Sequence, residues 1–315
     1  MPKTDTAGPP GGQLERGAMG TADIVFFVLA GVAPMGVVVA LLTLSIALGN
    51  GAGVPGTYAV AGVVLALFAA GYVRMSRRIA NVGGFYTYAR QGLGRRSGGA
   101  TAYIALLAYN AATIGIFGAL AYFASQVSAS FGVHISWQVW ALIAYAMGRT
   151  HPRYGSPVVA SAVQLGLLAV IVAGFTIAGQ DPYLGMGTSL YGLGVLGIVL
   201  LQAIAAAAIV GFFLRHRQGE SAWGAIIAPA LGGIGLVIGM VLMILNYSTL
   251  TGSTATWVSS LPLLLPAAAV IGAVMAGRQP AHEPSDPATP RPGQSCATSG
   301  LAASGLARRL NRRLA

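Results

Sequence analysis

The residue types that usually carry catalysis are scarce in this chain, and none is spaced for it. The four histidines, His134, His151, His216 and His282, are scattered and have no metal-ligand spacing. No apolar run holds a pair of aspartates, and no serine pairs with a histidine inside one. Residues 51–56 and 192–197 match the dinucleotide fingerprint by letter, through Gly51, Gly53 and Gly56, and through Gly192, Gly194 and Gly197. A nucleotide site needs that turn between a strand and a helix, with an acidic residue about 20 positions on. Neither stretch has that setting. The first reads as a loop turn, and the second as the start of an apolar helix where glycine permits close helix contact. The expectation is a protein that is not an enzyme and that uses no cofactor and no metal.

Chemistry of another kind is possible in the first apolar run. It contains Gly31, Val32, Ala33, Pro34, Met35 and Gly36. Pro34 removes a backbone donor and clashes with the preceding turn. A helix broken at membrane depth is tolerated only where it packs on protein or lines a cavity. Carriers use such breaks to aim half-helix ends at a solute; a simple proline kink is the plainer reading. The third run carries Tyr109, Asn110 and Thr113 near its middle. Polar groups there must face protein or water, for hydrogen bonds between helices or for contact with a solute. Gln164 and Gln202 in later runs read the same way. No Asp, Glu, Lys or Arg lies deep in any run, so no proton-relay carboxylate is visible. Asp23, at the start of the first run, suits a helix N-terminus.

The elements that must position these residues are membrane spans. A spanning helix needs about 20 mostly apolar residues. Eight candidates appear, at about 23–48, 57–73, 100–126, 135–147, 156–177, 189–214, 222–247 and 258–276. The fourth is short: about 13 apolar residues make roughly 20 Å of helix, against a hydrocarbon core about 30 Å thick. The connections alternate. One set carries Arg74, Arg77, Arg78, Arg90, Arg95 and Arg96, then Arg149 and Arg153, then Arg215 and Arg217, then Arg278. The other set, 49–56, 127–134, 179–188 and 250–257, has no Lys or Arg. Basic residues favour cytoplasmic loops, so both termini are expected in the cytoplasm.

Composition agrees with this class. Hydrophobic residues make up 55% of the chain and charged residues 8%, with 45 glycines, which suits closely packed membrane helices better than a soluble core. The net charge of +11 would suit nucleic acid, but the arginines sit in short loops and a tail, so no nucleic-acid partner is expected. The single cysteine, Cys296, allows no internal disulfide. Residues 1–22 read as a cytoplasmic tail without the pattern of a cleavable signal. Residues 23–277 form the membrane domain. Residues 278–315 read as a disordered cytoplasmic tail ending in a short basic amphipathic stretch, with Leu306, Leu310 and Leu314 four apart.

Several segments together carry a family resemblance. Residues 51–56, then 71–88 with Gly83, Gly84, Phe85, Tyr86, Thr87 and Tyr88, then Gly92, Leu93 and Gly94, resemble bacterial amino-acid permeases of the amino acid–polyamine–organocation superfamily. In that family a Gly-Gly-x-Tyr-x-Tyr segment joins the second and third helices on the cytoplasmic side. Residues 148–157, with Arg149, His151, Pro152, Arg153 and Tyr154, resemble the family's loop before its ninth helix. The four runs that follow, with Asp181, Pro182, Ile227, Ala228 and Pro229, look like helices nine to twelve. Family members have twelve helices, so the resemblance implies a chain lacking the end of helix four through helix eight, with the short fourth run as the join.

The implied fold is all-α: a polytopic bundle of about eight spans, a partial version of the inverted-repeat, leucine-transporter-like permease fold. The implied function is secondary transport of an amino acid or related amine across the bacterial plasma membrane; a shortened, non-transporting remnant or accessory membrane protein is the alternative. By the same resemblance, Gly31, Val32, Ala33, Pro34, Met35 and Gly36 would hold the substrate through free backbone groups, with Tyr109 and Asn110 lining the pocket. The lipid bilayer is an implied partner. A coupling proton or Na+ and a second copy of the chain stay open.

Overall fold

The computed structural model describes residues 20–32, 38, 42–79, 83–147, 158–177, 179, 182–216, 219, 221–252 and 256–278. The chain divides into two units, Met1–Ala276 and Gly277–Ala315, and only the first two residues of the second are described. Among the described residues the structure is helical, with no strand. The α-helices of five residues or more are α1 Thr21–Val32, α2 Thr43–Leu48, α3 Val54–Arg78, α4 Gly84–Leu93, α5 Arg95–Ser130, α6 Trp137–Met147, α7 Val158–Ile177, α8 Thr188–Arg215, α9 Ala228–Leu245, α10 Tyr247–Thr251 and α11 Leu264–Arg278. Among the described residues, five stretches are long and apolar enough to cross a membrane: Gly51–Arg78, Arg95–Ser130, Gly185–Arg215, Trp223–Leu245 and Leu261–Arg278. Their outward residues are large and apolar, among them Val60, Leu106, Ile116, Ile238 and Val270, as helices bathed in lipid require.

Several expected boundaries shift. The second run continues as helix through Arg78, and the third begins at Arg95 rather than residue 100. The expected loop at 74–99 is therefore largely helical, with α4 inside it. Apolarity marks where a helix enters lipid, whereas the helix itself ends where its backbone bonds end. The eighth run is helical at 258, in a four-residue helix Thr256–Ser259, but the helix is then interrupted. Pro262 fixes φ and lacks an N–H, and a 3-10 turn, Leu261–Leu263, precedes α11. The described part of the fourth run, helix α6, is 11 residues. Asp23 does stand in the first turn of α1, and its Oδ2 accepts the Gly20 N–H at 2.9 Å. Between α1 and α2, residues 33–37 and 39–41 lie outside the described residues.

Small residues let the long helices touch backbone to backbone. Helices α5 and α8 run antiparallel. A Cβ at Gly194 would meet the Ala112 N at 2.5 Å, and one at Gly197 the Ala108 Cβ at 2.5 Å; one at Gly115 would meet the Tyr191 N at 2.5 Å. The second fingerprint-like stretch thus opens a helix whose glycines face a neighbour, as expected. The α3–α9 seam is built alike: Gly232 lies against the Phe68 backbone, and Gly71 against the Pro229 ring. Around these seams two apolar clusters form. One centres on Phe68, Met75, Tyr88, Ile209 and Phe213, the other on Ile104, Leu193, Leu196, Leu201 and Leu265.

Helix α4 braces the arginine-bearing end. Gly92 presses on the Ala208 carbonyl of α8, and the Tyr88 ring lies edge-on to Tyr72 of α3, centroids 5.0 Å apart. Ser97 Oγ donates to the Ala89 and Gly94 carbonyls at 3.0 and 2.6 Å, which pins the corner between α4 and α5. Burial, then the neighbouring Tyr72, raises the Tyr88 phenol from its usual 10 to about 12. An unfolded chain ionises this phenol at about pH 10, whereas the folded one keeps the proton. Its stabilising contribution is therefore complete below pH 10 and lost as pH rises through about 12. The expected outcome is a fall in thermal midpoint between these pH values that is smaller in Tyr88→Phe. Equal falls in the two proteins would refute it.

Candidate functional site

A cavity of about 580 Å³ opens where four arginine-free helix ends meet. Ser45 and Asn50 come from α2 and the turn after it, Thr57 and Tyr58 from the start of α3. Thr188, Tyr191 and Val195 come from the start of α8; Leu242, Met243 and Asn246 come from the end of α9 and the residue after it. These residues meet because α3 and α8 begin at this end and α9 finishes there, an order set by the antiparallel seams. Its volume falls within the range of small-molecule sites, roughly 300–1,000 Å³.

The wall is mostly apolar with a few polar groups, and no charged residue lines it among the described residues. Asn50 Nδ2 donates to Thr57 Oγ1 at 3.2 Å, and Thr57 Oγ1 donates to the Gly53 carbonyl at 3.2 Å. Asn246 Nδ2 donates to the Leu242 carbonyl at 2.9 Å. An amide has two N–H donors and an oxygen acceptor, so each Asn keeps hydrogen-bonding capacity beyond this one bond. The rim is tied together by two bonds between α8 and α10. Thr188 Oγ1 donates to the Thr251 carbonyl at 2.6 Å, and the buried Tyr247 hydroxyl donates to the Ser189 carbonyl at 2.7 Å. Ser189 Oγ is buried beside this rim without a hydrogen-bond partner. The arrangement can hold a small amphipathic solute. No group of three or more His, Cys, Asp or Glu gathers among the described residues.

The residues singled out from the sequence fall elsewhere or out of view. Gly31 and Val32 belong to the last turn of α1, while Ala33, Pro34, Met35 and Gly36 lie outside the described residues. Tyr109 and Asn110 are not among the cavity-lining residues. Tyr109 is 50% exposed on the outer face of α5. Asn110 Nδ2 donates to the Leu106 carbonyl and Thr113 Oγ1 to the Tyr109 carbonyl, each at 2.7 Å. Their donors thus bond one turn back in the same helix, where hydrogen bonds to another helix were the plainer expectation. Asn50 and Asn246 were not singled out. Each closes an apolar run at an arginine-free end, but nothing local says that two such ends adjoin.

No protein-family profile matches this chain, and no curated protein and no solved structure gives a significant match.

Proposed function

We propose that this chain is a secondary carrier of amino-acid-permease type that moves an amino acid or related amine across a bacterial plasma membrane. Its fold in this reading is a shortened, partial inverted-repeat bundle of about eight spans, with both termini in the cytoplasm. The observation that carries the reading is the cavity between α3, α8 and α9. It has the size and mixed lining of a small-solute site, and it lies at the ends that the arginine alternation makes extracellular. The braced, glycine-rich segment at the other end is the part that resembles the permeases.

The orientation has its own test. Ser130 and Gln91 are exposed and lie at opposite ends of the α4–α5 segment. With Cys296 replaced by Ser, a membrane-impermeant maleimide applied to intact cells is expected to label Ser130→Cys and spare Gln91→Cys. The reverse labelling would sink the orientation.

The site is tested by ligand stabilisation. The purified full chain is melted in neutral detergent against a panel of amino acids and amines. A true ligand at 100 times its Kd adds about 2.7 kcal/mol, a rise of roughly 5 °C for a chain of this size. A panel in which nothing moves the midpoint favours a second reading, a non-transporting remnant. One observation already leans that way: Tyr109, Asn110 and Thr113 lie away from the cavity, on a face of α5 that also presents exposed Leu106 and Ile116.

A further inference from the structure

We propose that the corner between α4 and α5 is a docking surface for anionic phospholipid headgroups in the leaflet at the arginine-bearing end. The inference rests on the bundle sitting in a membrane and is independent of whether it transports.

The arginines at this end divide into two kinds. Arg74 is turned inward: its Nη1 donates to the Ala70 and Gly224 carbonyls at 2.8 and 3.1 Å. Arg78 lies over the Phe213 ring, 5.6 Å from its centroid. These two join α3 to its neighbours. Arg90 and Arg96 instead are exposed, and Arg95 is half-exposed, all within seven residues around the Gly94 corner. At that corner φ is 102°, a conformation glycine adopts freely. The Ser97 bonds and the Gly92–Ala208 contact hold the corner against the bundle, so these side chains project from a fixed base.

The outward face of α4 has the composition of an interfacial helix. Its inner residues, Thr87, Tyr88, Ala89 and Gly92, are buried. Outward stand Tyr86, Arg90, Gln91 and Leu93, with Tyr86 37% and Leu93 46% exposed. Arg90 Nη1 donates to the Tyr86 hydroxyl at 3.4 Å. Tyr and Arg place polar tips at headgroup level over apolar stems, and an exposed leucine beside them suits the acyl boundary. Among the described residues, α3, α4 and α5 contain no Asp or Glu, and Asp23 is the sole carboxylate. A phosphodiester supplies a negative charge to the exposed Arg90 and Arg96 and accepts the fork of a guanidinium.

The experiment uses the purified full chain in neutral detergent, melted with increasing dioctanoyl phosphatidylglycerol or dioctanoyl phosphatidylcholine. Phosphatidylglycerol is expected to raise the midpoint, and phosphatidylcholine is not. Each arginine near an anionic surface contributes about fivefold in affinity. The variant Arg90→Gln, Arg95→Gln, Arg96→Gln should need on the order of a hundredfold more phosphatidylglycerol, while melting like the parent without lipid. If that variant is poorly folded, Arg96→Gln alone should show the single fivefold loss. Equal stabilisation by the two lipids, or an arginine variant (the triple change or Arg96→Gln alone) that needs no more phosphatidylglycerol than the parent, would overturn the proposal.

Discussion

Gly194→Leu is expected to prevent the bundle from assembling. The position has no space for even a methyl group: a Cβ there would meet the Ala112 N, Cβ and Cα at 2.5, 2.6 and 2.7 Å. Two of these atoms are backbone, so no rotamer change relieves the clash. Helices α5 and α8 would have to part, which separates Ile104 and Ala111 from Leu193, Leu196 and Leu201. Overpacking alone typically costs about 1–3 kcal/mol, and the lost seam adds to it. A domain's whole stability is only about 5–15 kcal/mol. The measurement is the yield of monodisperse protein in detergent and its thermal midpoint, with Gly62→Ala as the control. Gly62 has nothing within 4 Å of a built Cβ, so that change should be neutral or slightly stabilising, by up to about 1 kcal/mol. A Gly194→Leu protein that purifies and melts like the parent would mean that α5 and α8 do not meet in this way.

Val195→Trp is expected to leave the fold intact and remove solute binding. Val195 lies one residue from the seam but faces the cavity, where there is room for a larger ring. The indole would occupy the space between Tyr58 of α3 and Leu242 of α9 that a solute needs. Ligand stabilisation, and uptake if the chain transports, should fall at least tenfold, about 1.4 kcal/mol. The midpoint without ligand should stay within a few degrees of the parent. The two neighbouring substitutions thus separate packing from binding: one should destroy the protein, and the other should silence it. Unchanged ligand response in a folded Val195→Trp protein would remove the cavity from the account.

What could be read from the sequence follows the physics of the solvent. Long apolar runs are local features, and the five stretches among the described residues that are long and apolar enough to span a membrane lie in runs that composition marks. The glycines of residues 192–197 were also readable, since small residues spaced along an apolar helix have few uses besides close contact. Helix α4 was hidden because Gly83 and Gly84, two tyrosines and an arginine look like loop. Its helicity comes from tertiary contacts of Tyr88 and Gly92 that no local propensity reveals. The cavity was hidden for a different reason: Asn50 and Asn246 are nearly 200 positions apart, and only the antiparallel order of α3, α8 and α9 brings them together. Tyr109 and Asn110 attracted attention by type, by depth and by the family resemblance, and none of these tells which side of a helix faces protein. Pro34 and its neighbours stand on the sequence reading, since Ala33–Gly36 fall outside the described residues.

The central claim is that the chain carries a small amine or amino acid across a membrane. The most direct measurement is uptake into proteoliposomes containing the purified full chain, with a panel of labelled amino acids and amines and with imposed proton and Na+ gradients. The predicted result is saturable accumulation of at least one solute, absent from protein-free vesicles and lost in Val195→Trp. A folded, inserted chain that accumulates no member of the panel above protein-free vesicles, under either gradient, would contradict the account and leave a membrane protein that has kept a permease-like segment without the transport.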